Sequence, residues 1–184
     1  MRIVGGKFGG RRIWAPKGSD VRPTADRVKE SVFGVLADLV EEARVLDLFA
    51  GSGALGLEAM SRGALEVIFV DRQPGALETI RRNVEALGLQ ERARLLKIDL
   101  IRGPGRLRGE APFDLVFLDP PYGRGLEVRT LNMIARLELA AAEAVAVVEQ
   151  PAAEGLEGLD PSWRLLERRA YGQTAVAFLL NEAP

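Results

Sequence analysis

The stretch Arg44-Val-Leu-Asp-Leu-Phe-Ala-Gly-Ser-Gly-Ala-Leu-Gly56 decides the fold class. An apolar, strand-like run from Val45 to Phe49 meets three glycines and gives way to a helical pattern through Leu55, Ala59 and Met60. Glycine tolerates positive φ and lets backbone come close to a ligand, so strand, glycine turn and helix start in that order form a cradle at a strand's carboxyl end. Gly51-x-Gly53-x-x-Gly56 satisfies the dinucleotide fingerprint. Asp71, at the end of Val67-Ile-Phe-Val70 and about 20 residues on, stands where a ribose-binding acid belongs. Taken alone, the stretch admits a nicotinamide cofactor or another adenosine ligand.

Three features outside it favour S-adenosylmethionine. Asp47 sits inside the first strand, ahead of the glycines, where a carboxylate suits a cationic amino-acid moiety and repels a pyrophosphate. A third strand-like run, Ala93 to Ile98, ends in Asp99, placed to bind an adenine amine. A fourth, Asp114-Leu-Val-Phe-Leu-Asp-Pro-Pro-Tyr122, delivers a carboxylate, two prolines and an aromatic ring together, an arrangement with no use in hydride transfer. Asp47, Asp71, Asp99 and Asp119 thus end or interrupt four successive strands, and open parallel sheets bind ligands at the carboxyl ends of their strands.

The fourth strand end suits a planar amine. Pro120 and Pro121 remove two backbone donors and leave outward-facing carbonyls as acceptors. An exocyclic NH2 can then give its two protons to Asp119 Oδ and the Pro120 carbonyl, while Tyr122 stacks on the ring.

At these residues the chain resembles a known family. Asp-x-Phe-x-Gly-x-Gly at Asp47 to Gly53 and Asp119-Pro-Pro-Tyr122 are similar to the motifs of class I S-adenosylmethionine-dependent methyltransferases acting on exocyclic amino groups. The opening Arg2-Ile-Val-Gly-Gly-Lys-Phe-Gly-Gly-Arg-Arg12, Val21-Arg-Pro-Thr-Ala-Asp-Arg-Val-Lys-Glu30 and the late Tyr171-Gly-Gln-Thr174 narrow this. They resemble the RsmD-type 16S ribosomal RNA guanine-N2 methyltransferases, whose family name specifies guanine 966. The Asp-Pro-Pro-Tyr motif is shared with adenine-N6 DNA enzymes and, with Asn first, with glutamine-N5 protein enzymes. A non-catalytic RNA-binding module is the alternative of a different class.

The resemblance implies a Rossmann-like α/β fold, with a mostly parallel, seven-stranded, doubly wound sheet closed by a C-terminal antiparallel hairpin. It implies a basic N-terminal hairpin or arm over residues 1–22 and a methyltransferase domain over 23–184. Asp47 and the backbone around Gly51 to Gly53 would hold the methionine portion of the cofactor, Asp71 the ribose hydroxyls, and Asp99 with neighbouring Ile98 or Leu100 the adenine, with Phe49, Ser52 and Arg72 also in the cofactor site. Thr24, Arg27 and Glu30 match a helix motif that caps the cofactor. Asp119, Pro120, Pro121 and Tyr122 would be catalytic, the amine attacking the sulfonium methyl in line with S-adenosylhomocysteine as product. The partner implied is 16S ribosomal RNA in the small subunit or a late assembly intermediate, with adjacent ribosomal proteins, and the enzyme is expected to be a monomer.

Composition agrees. A chain of 184 residues, 47% hydrophobic and 28% charged, suits one globular domain with a substantial core. Neither cysteine nor histidine is present, which removes disulfides, thiolate chemistry, Ser-His triads and the commonest metal ligand, so no metal is expected. Met1 to Asp20 lacks the apolar core of a signal peptide and no run is long enough to span a bilayer, so a soluble cytoplasmic protein is expected.

Charge is divided along the chain. Residues 1–29 carry eight Lys or Arg against two Asp, a net of +6, and the remainder carries 17 basic against 24 acidic residues, −7. A positive segment on an acidic body suits a polyanion. Arg2, Lys7, Arg11, Arg12, Lys17 and Arg22 would contact phosphates, with Arg124 reaching another from the Gly123-Arg-Gly125 loop. Phe8 and Trp14, interleaved with these cations, could stack on unpaired bases or pin the arm to the body.

Periodicity predicts a helix opening at Pro23-Thr24 with Thr24 as N-cap, then strand 44–49, helix 54–62, strand 66–70, a helix from Pro74, strand 93–98 and a loop from Arg102 to Gly109. Strand 114–118, helix 126–139, strand 144–149, a loop with a short helix, and strands 163–170 and 174–180 complete the pattern.

Overall fold

The computed structural model describes residues 1–16 and 23–183, and of residues 23–25 the backbone alone. Lys17 and Arg22 lie outside the described residues, as does the Thr24 side chain with its expected cap. The seven strands form one mixed sheet in the order β3-β2-β1-β4-β5-β7-β6, with helices between the parallel strands and an antiparallel pair at the end. This is the architecture the sequence predicts. The chain forms two compact units, Met1–Lys97 and Ile98–Pro184.

In the first unit, α1 (Pro23–Leu36) precedes β1 (Arg44–Leu48), α2 (Ala54–Ser61), β2 (Glu66–Asp71), α3 (Pro74–Leu87) and β3 (Ala93–Lys97). β2 pairs in parallel with both β1 and β3. Val45, Leu46, Leu48 and Val67 to Val70 are fully buried, as the continuous apolar runs of parallel strands covered on both faces require. Gly56 lets α2 lie close on the sheet: a Cβ there would come within 2.4 Å of Phe69 Cε1 and 2.8 Å of Val67 Cγ1.

The N-terminal residues of this unit form a small hairpin. Arg2 and Arg12 are bridged antiparallel, Ile3 N donates to Arg11 O and Gly10 N to Ile3 O, both at 2.9 Å. Ile3, Phe8 and Ile13 face inward and are buried.

In the second unit, β4 (Phe113–Leu118), α4 (Leu126–Arg136), β5 (Ala140–Pro151), β6 (Trp163–Tyr171) and β7 (Thr174–Asn181) follow one another. β4 and β5 are parallel, and β7 lies antiparallel to both β5 and β6. The tight β6–β7 turn uses Gly172 at φ +64.

Three expectations are corrected here. The segment after β5 holds turns rather than a short helix, because side chains satisfy its backbone. Gln150 Nε2 donates to Glu154 O, Asn132 Nδ2 to Gly158 O, and Asp160 N donates to Asn132 Oδ1, at 2.7 to 2.9 Å. The Arg102–Gly109 segment is not irregular either: Pro104–Glu110 winds as a 3-10 helix anchored by fully buried Leu107. The helix expected to run to 139 stops at Arg136.

Candidate active site

The glycine turn of the first unit is tied down by carboxylates. Asp47, one residue before the end of β1 and 3% exposed, accepts from Gly56 N at 3.0 Å. Asp71, the last residue of β2, accepts from Gly51 N at 3.0 Å and from Gln73 N at 2.8 Å, one bond to each oxygen. The turn is strained as well as tied: Phe49 holds φ +58, uncommon for a bulky side chain, and Gly51 and Gly53 hold +55 and +76. Ser52 is buried and its hydroxyl donates to Met1 Sδ at 3.3 Å. Arg72 is exposed, as are Arg27 and Glu30 on α1.

The same unit fastens the hairpin. Glu58, fully buried on α2, accepts from Val4 N at 2.7 Å, Gly5 N at 2.8 Å and Arg62 Nε at 2.9 Å. Ser61 Oγ accepts from Phe8 N and donates to Gly5 O. Gly5 and Gly6 are needed for this closeness, since a Cβ at Gly6 would stand 2.0 Å from Ser61 O. Asn83 accepts from Trp14 N at 2.8 Å and donates at 3.0 Å to both Trp14 O and Ser52 O, so one side chain holds the hairpin and the glycine turn.

Phe8 therefore pins the hairpin: its ring is 9% exposed, with Lys7 Nζ and the Arg11 guanidinium 5.7 and 5.6 Å from its centroid. Trp14 keeps 42% of its surface exposed, with the Arg82 guanidinium 4.0 Å from its ring. Lys7, Arg11 and Arg12 are exposed, and exposed Arg2 pairs with Asp26 at 2.8 Å.

In the second unit, Asp99 accepts from Ile101 N at 3.0 Å and is half-buried, as is Leu100. Asp119 directly follows β4. Burial first, and the Glu149 carboxylate second, push its carboxyl from 3.8 up to about 7. Asp119 is crowded by surrounding protein yet keeps a solvent-exposed side. Water on that side tempers the shift in the free enzyme, and a ligand lying over Asp119 would remove that water. Pro120 is buried; Pro121, Tyr122 and Arg124 are exposed. The Tyr122 hydroxyl donates to Glu149 Oε1 at 2.8 Å and lies 3.1 Å from Thr174 Oγ1.

Glu149, Thr174, Glu58 and Asn83 are the residues that sequence reasoning missed. Glu149 had a signal, since it ends the apolar run Val145 to Val148 as Asp71, Asp99 and Asp119 end theirs. Glu58 had a weaker one, a lone acid on an otherwise apolar helix.

The sheet order, the acid-anchored glycine turn and the Asp-Pro-Pro-Tyr strand end define a Rossmann-like S-adenosylmethionine-dependent methyltransferase. Comparison with known proteins agrees. The chain belongs to the family described as Conserved hypothetical protein 95, matched over residues 1–180. It is 35% identical over 183 residues to Ribosomal RNA small subunit methyltransferase D of Escherichia coli K12, covering 100% of this chain and 91% of that protein. Against the Haemophilus influenzae protein of the same name, identity is 31% over 177 residues, covering 94% and 89%. The solved structure of yhhF from Escherichia coli matches with a TM-score of 0.86 at 34% identity, covering 100% of this chain and 99% of that one.

The residues present fit the cofactor. Asp71 uses one acceptor site on each oxygen for backbone and keeps others for ribose hydroxyls. Asp47 places a buried carboxylate beside the glycine turn. A Cβ at Gly51 would meet only Phe49 O, at 3.9 Å, so ligand atoms have room there.

Proposed function

We propose that this chain methylates the exocyclic N2 of a guanine in small-subunit ribosomal RNA, with guanine 966 as the expected position. The observation that carries the reading is the end of β4, where a carboxyl pushed up to about 7 stands beside two prolines and an exposed tyrosine ring. The relatives named for small-subunit ribosomal RNA methylation supply the substrate class.

S-adenosylmethionine, when bound, supplies an electrophilic methyl group. In this reading Asp47 and the turn from Phe49 through Gly51 and Ser52 to Gly53 hold its amino-acid portion, Asp71 and Arg72 its ribose side, and Asp99 and Leu100 its adenine. Thr24 and Arg27 cover it. Guanine N2 is a poor nucleophile because its lone pair is delocalised into the ring. Asp119 Oδ and the Pro120 carbonyl accept its two protons and turn the lone pair out of conjugation, an interaction that strengthens as the nitrogen gains positive character. A carboxylate with a pKa about 7 is a better proton acceptor than an ordinary one, so the proton released from the amine passes to Asp119 without a histidine. Pro121 stiffens the turn, Tyr122 stacks on the base, and the base leaves its stack to enter.

The hairpin within residues 1–22 presents Arg2, Lys7, Arg11, Arg12 and Trp14, with Lys17 and Arg22 following, to the RNA backbone and its unpaired bases. Residues 23–184 form the catalytic domain. Phe8 supports this surface from beneath. The protein acts as a cytoplasmic monomer on the small subunit or a late assembly intermediate, with neighbouring ribosomal proteins in reach.

The deciding experiment is transfer from labelled S-adenosylmethionine to unmodified small subunits, naked 16S RNA and duplex DNA in parallel, with the product nucleoside identified after digestion. N2-methylguanosine from the subunit is expected. N6-methyladenosine, or no nucleoside product, overturns the reading.

A further inference from the structure

Tyr122 is the one member of the Asp119–Tyr122 motif whose placement the motif itself does not dictate. Its side chain is 44% exposed, and the chain after it runs through Gly123 and Gly125 at φ +72 and +57, a hinge-like pair that imposes little order on the ring. A ring in such a place would be free to sample rotamers. Two hydrogen bonds prevent this, and they come from two different strands.

Glu149, near the end of β5, accepts the phenolic proton at 2.8 Å. Thr174, the first residue of β7, lies 3.1 Å from the same oxygen. A phenol has one proton to donate, and Glu149 takes it, so the Thr174 hydroxyl is left to donate back to the phenolic oxygen. The two anchors are themselves tied through the antiparallel ladder, where Glu149 pairs with Val176 and Pro151 with Thr174.

We propose that Glu149 and Thr174 are positioning residues that clamp the Tyr122 hydroxyl and so hold its ring as a fixed wall against which the target base is stacked. The inference rests on the amine-methylation reading and adds to it a specific device for orienting the base. Fixing the tip of a ring with only two torsions removes most of its freedom before the base arrives, so the ordering cost is not paid on binding. Burial and the Glu149 charge push the hydroxyl up to about 12, so it stays a protonated donor at any working pH.

The clamp is tested first without activity. The chain has two tyrosines, so a Tyr171→Phe background leaves Tyr122 as the single reporter for titration by ultraviolet absorbance. The hydroxyl is expected to titrate near 12, and Glu149→Ala, which removes a charge and a hydrogen bond but leaves the burial, is expected to lower that value measurably. An unchanged titration overturns the clamp.

Methyl transfer to small subunits is then measured well above pH 7, where Asp119 is ionised with or without the Glu149 charge, for Tyr122→Phe, Glu149→Ala and their combination. Each single change is expected to lower kcat/KM for RNA about tenfold, the size of one charge-assisted hydrogen bond, with cofactor affinity unchanged. The double variant is expected to be no worse than the poorer single one, and Glu149→Gln, which keeps an acceptor, is expected to recover most of the loss. Additive losses, or an equal loss of cofactor affinity, overturn the proposal while leaving the RNA reading intact. A wild-type protein that shows the titration but methylates no RNA overturns the RNA reading and leaves the clamp standing.

Discussion

In the first unit, carboxylates direct their lone pairs at backbone N–H groups: Asp71 at Gly51 and Gln73, Asp47 at Gly56, Glu58 at Val4 and Gly5. At the ends of β4 and β5 in the second unit, Asp119 and Glu149 stand close enough for their charges to oppose each other, and burial raises the penalty on Asp119. The same functional group does two jobs according to what surrounds it. Fed by donors, a carboxylate is a clamp that sets the shape of a loop. With no donor among the described residues and placed beside another acid, it is poised to exchange a proton.

Replacing one acid from each region should break the molecule in different ways. Asp119→Ala is expected to reduce methyl transfer by about 10²- to 10⁴-fold, the range for a positioned proton acceptor, with cofactor affinity within about twofold. Single-turnover transfer and calorimetric cofactor binding measure the two quantities. Equal losses in both would erase the distinction between the regions. Glu58→Ala, by contrast, should leave a buried cavity, two backbone donors and Arg62 without their acceptor, at a cost of about 2–4 kcal/mol in denaturant unfolding. Tryptic cleavage at Arg11 and Arg12 should accelerate with it. Unchanged stability and cleavage would show that the hairpin is held by its apolar residues Ile3, Phe8 and Ile13 alone.

The proton balance sharpens the contrast. Asp119 holds its proton to about 7 in the folded chain against an ordinary 3.8, so between those values the folded state binds more protons than the unfolded one. Its stabilising contribution is therefore complete below the unfolded value and is lost as pH rises through about 7. Relative to Asp119→Asn, the wild type is expected to lose on the order of 1 kcal/mol between pH 4 and pH 8, a figure reduced by the water that screens one side of the group. Activity runs the opposite way, rising through about pH 7 as the acceptor ionises. A flat stability difference would place Asp119 with the clamps.

The smallest effect is expected on the hairpin surface. Arg11→Glu with Arg12→Glu should weaken RNA binding and flatten the dependence of log K on log salt by about 0.7 per lost phosphate contact, with no change in fold. A slope identical to that of the wild type would remove these two arginines from the RNA surface.

Most of the fold was legible because its signals are local. The runs Val45 to Phe49, Val67 to Val70 and Leu115 to Leu118 announce doubly covered strands, and Gly51, Gly53 and Gly56 announce the turn between strand and helix. Pro74 marked the start of α3, and it is the helix's first residue. The segment after β5 was misread because its backbone is satisfied by Asn132 and Gln150, partners that no local pattern reveals. Phe8 was ambiguous for a related reason. An aromatic among arginines reads equally as a base-stacking residue or a buried anchor, and only burial separates the two.

The sequence by itself determined where the acids fall, at the ends of successive strands, and which glycines let backbone approach a ligand. Those properties follow from residue type and spacing along one chain. Only the tertiary structure decided which acids are neutralised by backbone donors, which one is left with a raised affinity for a proton, and which two residues reach the Tyr122 hydroxyl. Glu149 and Thr174 lie 27 and 52 residues from Tyr122, and Glu58 lies 54 from Val4. Burial, charge and hydrogen bonding act through space over a few ångströms, and separations of that length in sequence become contacts only when the sheet has formed.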